Sequence, residues 1–232
     1  MPTPVRNPPL FPSSVAQFSL AFDVADSTDL AEQFPGILLP ESLGRAVRKR
    51  QAEFLAGRYC VREALRARAP EHAETPIEMG QNREPLWPPG IAGAITHTHG
   101  FASACVALAS DTRGIGLDAE RVMTDDLATR LLDKIATNQE IAALTIATGW
   151  SVGVALTVVF SAKESIFKCL YPQVQRYFDF HDAKIVAANP AEGRFSARLL
   201  TTLTPALVSG YEIEGRFECG DGFVCTAILL PP

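Results

Sequence analysis

The sequence lacks the features that mark several large classes of protein. No apolar run reaches the ~20 residues of a membrane-spanning helix, and the longest, VGVALTVVF at 152–160, is far too short. The N-terminal stretch MPTPVRNPPLFPSS has no basic region followed by an apolar one, so we expect no secretory signal. The five cysteines are odd in number and form no CxxC pair, which argues against a disulfide framework or a zinc site. We therefore expect a cytoplasmic protein with reduced thiols.

An overall excess of positive charge is also missing, which argues against a general role in binding nucleic acid or membranes. The chain has 232 residues, a net charge of −5 and 47% hydrophobic residues, enough for one large domain or two small ones. The charge is uneven, because residues 41–68 hold eight Lys/Arg and three Glu, a local charge of +5. This basic segment is either a site for a specific anion or a solvated helix face with internal ion pairs, and composition leaves both open.

Hydrophobic spacing predicts a long helix in each half of the chain and strands around it. After a proline-rich lead-in of about 14 residues, either loose or ordered on contact, we expect a strand over 15–24. Helices are predicted over 40–68, 125–135, 138–147 and 155–170. Further strands are predicted over 90–110 and 114–120, followed by an antiparallel meander of strands 183–188, 193–200, 211–218 and 223–230.

A weak internal repeat suggests that the two halves are built alike. FLAGRYCVREAL from Phe54 is similar to FSAKESIFKCL from Phe160, and GFASACVAL from Gly100 to GFVCTAILL from Gly222, in the same order. We therefore predict an α+β fold of two similar halves, 1–112 and 113–232, related by a pseudo-twofold axis. Each half would pack a long helix on an antiparallel sheet, with the active site in the cleft between them.

The segment GIGLDAERV at 114–122 carries two carboxylates, Asp118 and Glu120, separated by one alanine. In a β-strand this spacing places both on one face, with Ile115, Leu117 and Ala119 on the other. Two like charges side by side need a cation, a shared proton or open water.

A third carboxylate, Glu164, lies in FSAKESIFK at 160–168, with Lys163 beside it and Lys168 one helical turn later. Glu164 and Lys168 alone are as consistent with an ordinary i,i+4 ion pair. Together with Asp118 and Glu120 they suggest a hard oxygen site for Mg²⁺, which keeps several waters and leaves positions for substrate phosphates.

Taken together, GIGLDAE and FSAKESIFK resemble the paired signature of the 4′-phosphopantetheinyl transferases. KRQAEFLAGR at 49–58, NREPLWP at 82–88 and GAITHTHG at 93–100 resemble the larger, pseudo-dimeric branch, the surfactin-type and enterobactin synthetase component D-like enzymes. The five motifs run in the expected order from about residue 45 to residue 170. Ala119 stands where isoleucine is usual, a minor departure because this side chain points to the other face.

The resemblance implies a Mg²⁺-dependent holo-[acyl-carrier-protein] synthase that moves the phosphopantetheine arm from coenzyme A to a carrier-protein serine and releases 3′,5′-adenosine bisphosphate. Asp118, Glu120 and Glu164 would hold Mg²⁺, with Mn²⁺ as a substitute, together with the coenzyme A pyrophosphate. Glu164 would be the general base. Lys168, with Lys163 nearby, would stabilise the leaving group.

The resemblance also implies which residues bind coenzyme A elsewhere in the chain. Arg50, Arg58 and Arg83 match basic positions of the family, and guanidinium groups bind phosphate oxygens in a bidentate manner. Thr96 and His97 would contact the cofactor phosphates as well.

The partner predicted by the resemblance is an apo acyl or peptidyl carrier protein of fatty-acid, polyketide, nonribosomal-peptide or siderophore synthesis. Net negative charge argues against global steering of an acidic carrier, so we expect docking through residues 121–150, where Leu127, Arg130, Leu131 and Lys134 recur at helical spacing. A fused pair of halves predicts a monomer. Two other functions stay open: a non-catalytic coenzyme A-binding relative, and a metal-dependent phosphodiesterase that removes the arm.

Overall fold

The computed structural model describes residues 2–25 and 28–232. The chain divides into two compact units, an N-terminal unit that ends at Arg113 and a C-terminal unit, Gly114–Pro231. In each unit a long helix packs on an antiparallel sheet. The predicted α+β class is therefore confirmed.

The elements of the N-terminal unit are β1 (Thr3–Val5), β2 (Ala16–Ala21), α1 (Leu30–Gln33), α2 (Arg48–Arg68), β3 (Ile91–Thr98) and β4 (Phe101–Leu108). The four strands form a sheet in the order β1-β2-β4-β3, with every pair of neighbours antiparallel. The long helix α2 packs across β4, β2 and β3 and buries a continuous apolar face that includes Phe54, Val61 and Leu65.

The proline-rich lead-in is not loose, because residues Thr3–Val5 form an edge strand that is ordered by pairing with β2. The long helix begins at Arg48 and not near Pro40, since only a short 3₁₀ helix, Glu41–Leu43, precedes it. Gly44 follows that 3₁₀ turn, and Val47, which fits the apolar spacing, is 74% exposed and lies outside the helix.

The elements of the C-terminal unit are β5 (Gly114–Arg121), α3 (Asp125–Ile135), α4 (Asn138–Thr148), α5 (Val152–Val174), β6 (Ala183–Asn189), β7 (Arg194–Leu199), β8 (Glu212–Gly220) and β9 (Phe223–Leu230). The five strands form a sheet in the order β5-β9-β8-β7-β6. Strands β6 to β9 form the predicted antiparallel meander, and β5 adds to it by pairing antiparallel with β9.

Hydroxyl caps determine where the three helices of the C-terminal unit begin. The side chains of Thr124, Thr137 and Ser151 accept hydrogen bonds from the backbone three residues later, which satisfies amides that have no partner inside the helix. Asp125 on α3 also accepts a 2.7 Å hydrogen bond from the amide of Gly153 at the start of α5. These contacts fix α3 and α5 relative to each other at one end.

No single helix in the described parts of the chain is both long and apolar enough to cross a membrane. The pair α4 and α5 reaches the required length and composition only together, and the two helices are bent by 114°. Most of α5 is buried within its own unit.

Candidate active site

Helix α5 lies very close to one face of β5, because that face begins with glycines. A Cβ atom added at Gly114 would stand 2.6 Å from the carbonyl oxygen of Cys169, and one at Gly116 would overlap the carbonyl oxygen of Ser165. The next residue on this face is Asp118, which is only 3% exposed. The strand therefore directs a buried carboxylate toward α5.

Lys168 on α5 supplies the counter-charge for Asp118. Its Nζ donates to Oδ1 of Asp118 at 2.7 Å and to the carbonyl oxygen of Leu117 at 3.1 Å. The lysine side chain is 26% exposed and that of Asp118 4%. The pair is therefore shielded from water on the carboxylate side, whereas the ammonium group is partly accessible.

Glu164 lies one helical turn before Lys168 and is half-buried. Burial is the main cause that raises the pKa of its carboxyl, the positive charge of Lys168 lowers that pKa, and the negative charge of Asp118 raises it. Glu164 thus lies within electrostatic range of both members of the pair. The structure brings together Asp118, Glu164 and Lys168, three of the residues that the sequence motifs predict for the active site.

The three predicted metal ligands do not form a ready-made cage. Within residues 2–25 and 28–232, no three side chains of the His, Cys, Asp and Glu types are grouped closely enough to hold a metal ion. Glu120 is half-buried and follows Asp118 on the same face of β5 by strand spacing. The oxygen donors suit Mg²⁺, which commonly binds one or two carboxylates and takes its other ligands from water and phosphate.

Lys163 is placed differently from the prediction, which set it beside Lys168 as a contact of the leaving group. Its Nζ is buried and donates to the carbonyl oxygen of Ile135 at 2.8 Å and to Oε2 of Glu140 at 3.2 Å. Lys163 and Lys168 are five residues apart, about 140° around a helix, so they point to different neighbours. The structure therefore corrects this assignment: Lys163 is part of the core.

Glu140, the partner of Lys163, is a residue that sequence reasoning missed. It is 2% exposed, and its Oε1 accepts a 2.8 Å hydrogen bond from the amide of Ile185 on β6. Burial lowers the pKa of Lys163, and the charge of Glu140 counteracts that effect. The Thr137-x-x-Glu140 spacing signals a helix start, yet it gives no sign that Glu140 joins α4, α5 and β6.

In the N-terminal unit, Arg50 and His97 contact each other on the face of the sheet that α2 covers. Nη1 of Arg50 lies 3.0 Å from Nε2 of His97, and Nδ1 of His97 lies 3.7 Å from Oε2 of Glu53. A guanidinium can only donate, so Nε2 of His97 is the acceptor and the ring proton is on Nδ1, toward Glu53. Glu53 and His97 thereby orient the guanidinium of Arg50.

Arg58 is one turn of α2 beyond Phe54, and its guanidinium stacks over that ring at 4.6 Å. Its Nε donates to the carbonyl oxygen of Ile77 at 2.7 Å, which attaches the following loop to the helix. Burial, and next the charge of Arg50, lowers the pKa of Arg58 to about 10. The two cations are therefore near enough to repel each other, and an anionic ligand would relieve this repulsion.

The remaining predicted contacts of the N-terminal unit are Arg83 and Thr96. Arg83 is exposed and occupies a tight turn with a φ of 67°, between the bridged residues Met79 and Pro85. Thr96 is 3% exposed and, by strand spacing, is on the opposite face of β3 from His97.

Several other basic residues of α2 form surface ion pairs. Arg66 bonds Glu63 and Glu74 at 2.8 Å each, and Arg68 is paired with Asp111. The ion-pair interpretation of the basic segment therefore holds for Arg66 and Arg68, and anion binding by Arg50 and Arg58 stays a prediction.

Known proteins similar to this chain agree on one family. The model of the 4'-phosphopantetheinyl transferase N-terminal domain matches residues 39–107, and that of the 4'-phosphopantetheinyl transferase superfamily matches residues 114–228. The 4'-phosphopantetheinyl transferase Svp of Streptomyces mobaraensis is 36% identical over 218 residues, covering 88% of this chain and 82% of Svp. PptT of Mycobacterium tuberculosis is 35% identical over 211 residues, covering 84% of this chain and 88% of PptT.

A further relative covers less of both chains. Enterobactin synthase component D of Salmonella typhimurium is 38% identical over 147 residues, which are 63% of this chain and 59% of that protein. The chain belongs to the 4′-phosphopantetheinyl transferase superfamily and to its larger branch, with the N-terminal and superfamily domains in tandem. It is an enzyme of that type, which transfers phosphopantetheine from coenzyme A to a carrier protein.

Proposed function

We propose that this transferase requires Mg²⁺ and releases 3′,5′-adenosine bisphosphate, with its reacting groups in the C-terminal unit. The observation that carries the proposal is the buried Asp118 carboxylate, held by Lys168 at 2.7 Å and within electrostatic range of Glu164. A carboxylate, a second acid and a lysine side by side suit phosphoryl transfer from a diphosphate.

The metal would be held by Asp118 and Glu164, with Glu120 as a third oxygen donor on the same strand face. Bound there, Mg²⁺ would neutralise charge on the diphosphate and on the leaving phosphate. Mg²⁺ would take its further ligands from phosphate and water. Mn²⁺ accepts the same oxygen donors.

The side chains of this chain would handle the proton and the leaving group. The serine oxygen of the carrier forms a bond to the phosphorus that bears the pantetheine arm, and the bond from that phosphorus to the bridging oxygen breaks. Glu164, directly or through one water, accepts the serine proton. Lys168 has three N–H donors and uses two within the C-terminal unit, on Asp118 and Leu117. The third is available to an oxygen of the departing adenosine bisphosphate.

The basic residues of the N-terminal unit would bind phosphates of coenzyme A. This role is best supported for Arg50 and Arg58. Glu53 and His97 orient the guanidinium of Arg50. The charges of Arg50 and Arg58 repel each other, and a bound phosphate would relieve that repulsion. Arg83 and Thr96 remain proposed contacts on the strength of the motif alone. Lys163 is left out of this set, because its ammonium group is engaged inside the C-terminal unit.

The carrier would dock on the segment 121–150, and the exposed side of α3 is the best candidate within it. Leu127 is 38% exposed, and Arg130 and Lys134 are exposed beside it at helical spacing. Those two cations suit the acidic surroundings of a carrier serine. Relatives named for enterobactin synthase make a synthase carrier domain one candidate partner. We further propose that the enzyme acts in the cytoplasm as a monomer.

Intact mass measurement tests the reaction. The purified chain is incubated with coenzyme A, Mg²⁺ and a panel of apo carrier domains, with and without a chelator. We expect one phosphopantetheine added per carrier, equimolar 3′,5′-adenosine bisphosphate, and no transfer when the metal is removed. Transfer that persists after complete chelation would contradict the metal requirement. A mass loss from holo carrier would instead support the phosphodiesterase, and coenzyme A binding without transfer to any carrier would support the non-catalytic alternative.

A further inference from the structure

Three hydroxyl groups form a fully buried cluster between α5 and the sheet of the C-terminal unit. Oγ of Ser161 lies 2.9 Å from Oγ1 of Thr226, and Oγ of Ser165 lies 2.7 Å from the same atom and 3.1 Å from the carbonyl oxygen of Thr226. The relative exposure of all three residues is 0%. The transfer chemistry described above does not use them.

One arrangement of the protons satisfies every contact in this cluster. Each hydroxyl has a single proton, so Ser161 donates to Thr226, Thr226 donates to Ser165, and Ser165 donates to the carbonyl oxygen of Thr226. The hydroxyl of Thr226 is the only one of the three that both accepts from one serine and donates to the other. Removing it breaks the chain of hydrogen bonds in two places.

The cluster lies next to the proposed reacting groups. Thr226 on β9 is the direct cross-strand partner of Asp118 on β5, so both side chains are on the face that α5 covers. On the helix, Ser165 follows Glu164 directly and Ser161 precedes it by three residues. The same hydroxyls that join α5 to β9 therefore flank the carboxylates on both elements.

The directional hydrogen bonds at this interface fix the position of α5 along its axis, which apolar packing alone does not do. The glycines of β5 let the helix backbone approach the strand, and small side chains fill the contact. Apolar packing of small groups tolerates a shift along the helix axis, whereas a satisfied buried hydrogen-bond network selects one position. An offset of ~1 Å is enough to lower a reaction rate by about 100-fold.

We propose that Ser161, Ser165 and Thr226 are positioning residues for the transfer reaction, which hold α5 where Glu164 and Lys168 oppose Asp118. This inference rests on the proposed roles of those three groups. It adds that the hydroxyl cluster sets the separation of these groups. The cluster does so by joining α5 to β9, the strand that pairs with β5.

The test compares Thr226→Val with Thr226→Ser and with Thr157→Val. Valine keeps the shape of threonine but loses the hydroxyl, serine restores the hydroxyl, and Thr157 is a matched control. Thr157 is on α5, two helical turns before Ser165, is 0% exposed, and bonds the carbonyl of Gly153 and the amide of Met123 rather than the hydroxyl cluster. Steady-state kcat and KM for coenzyme A, calorimetric Mn²⁺ binding without carrier, and Tm are measured for each variant.

We expect Thr226→Val to lower kcat and Mn²⁺ affinity by about 10-fold, as loss of a residue that orients metal ligands commonly does, with KM for coenzyme A within twofold of the wild type. Thr226→Ser should restore both. Thr157→Val should lower Tm by as much as Thr226→Val while kcat and Mn²⁺ affinity stay near wild type. Should Thr226→Val fail to fold, Ser161→Ala replaces it, since that change leaves the Ser165–Thr226 contacts intact.

The outcomes separate this inference from the proposed function. If wild-type enzyme binds no Mn²⁺ and chelation leaves turnover unchanged, the metal role proposed above is wrong, and the kcat comparison alone then tests the cluster. Equal effects of Thr226→Val and Thr157→Val on kcat, or no rescue by Thr226→Ser, would overturn the positioning role even if metal binding is normal.

Discussion

The ammonium group of Lys168 lies 2.7 Å from Oδ1 of Asp118, although the two residues are 50 positions apart in the chain. Replacing Lys168 with methionine keeps most of the side-chain volume and leaves the Asp118 carboxylate without this cation. We expect kcat to fall by roughly 100-fold, since a donor to developing charge is lost. We also expect the free energy of unfolding to fall by about 1–3 kcal/mol, since a buried charge loses its hydrogen bond.

A carrier-transfer assay and urea denaturation measure these two effects. Lys184→Met, a change at a lysine on β6 of the same unit, is the control and should leave kcat unchanged. Normal transfer by Lys168→Met would remove this lysine from the reaction.

The buried pair of Glu140 and Lys163 gives a second prediction, on stability. Each side chain is 2% exposed, so removing one partner leaves the other as an unpaired charge in the core. Lys163→Met or Glu140→Leu alone should lower the free energy of unfolding by about 3–5 kcal/mol, whereas the double variant recovers most of that loss. Denaturant unfolding of the four proteins measures the coupling.

The activity of the same variants tests whether Lys163 serves only the core or also contacts the leaving group. If Lys163 serves only the core, the double variant folds and transfers phosphopantetheine with nearly wild-type kcat. A folded double variant with kcat reduced 100-fold would instead return Lys163 to the reacting groups.

Helix α3 gives a third prediction, on carrier recognition. Leu131 is half-buried and packs against the core of the C-terminal unit, so Leu131→Asp should lower Tm as well as carrier binding. Leu127 is more exposed and avoids that complication. We expect Leu127→Asp to raise KM for the carrier about 10-fold, because it adds a negative charge where an acidic partner docks and removes apolar contact. KM for coenzyme A should not change.

Ile146→Asp is the matched control for Leu127→Asp, because Ile146 is 85% exposed on α4 in the same segment. Equal increases of KM for coenzyme A and carrier with Leu127→Asp, or a larger carrier effect with Ile146→Asp, would place docking elsewhere.

The sequence predicted the parts of this site that depend on local periodicity. A period of two assigned Asp118 and Glu120 to one strand face, and a period of 3.6 assigned Glu164 and Lys168 to one helix face. The sequence did not show that Lys168, and not Lys163, faces the strand. Lys163 is held by Glu140, which is on another helix, 23 residues away. The edge strand Thr3–Val5 was not predicted for a similar reason, since the prolines in and around it hid a pairing that only β2 supplies.

The cysteines give a fourth prediction, on thiol reactivity. Cys219 is exposed and the other four are buried. Burial raises the pKa of Cys225 to about 12, and burial and the charge of Glu218 raise the pKa of Cys219 as well. A higher pKa means less thiolate at neutral pH and slower alkylation. Native protein with iodoacetamide at pH 7.5 should therefore gain one slowly added label, at Cys219, by intact mass.

Two variants sharpen that measurement. Cys219→Ser should abolish labelling of native protein, and Glu218→Gln should accelerate it, because the loss of a neighbouring negative charge lowers the pKa of the Cys219 thiol. Rapid labelling of two or more thiols before unfolding would show that the buried cysteines are accessible.

Gly116 gives the last prediction, because it sets how near α5 comes to the strand that bears Asp118. A methyl group at this position would overlap the backbone carbonyl of Ser165, which has no rotamer by which to move aside, so the whole helix must shift. We expect Gly116→Ala to lower the free energy of unfolding by about 1–3 kcal/mol, the usual range for overpacking a core. Since the shift separates Asp118 from Lys168 and Glu164, kcat should fall by more than the loss of folded protein explains.

Gly220→Ala is the control, because a Cβ at Gly220 would meet nothing within 4 Å. Urea denaturation with transfer kinetics well below the unfolding transition separates the two effects. A destabilised Gly116→Ala enzyme with normal kcat would show that turnover does not depend on how closely the helix approaches the strand.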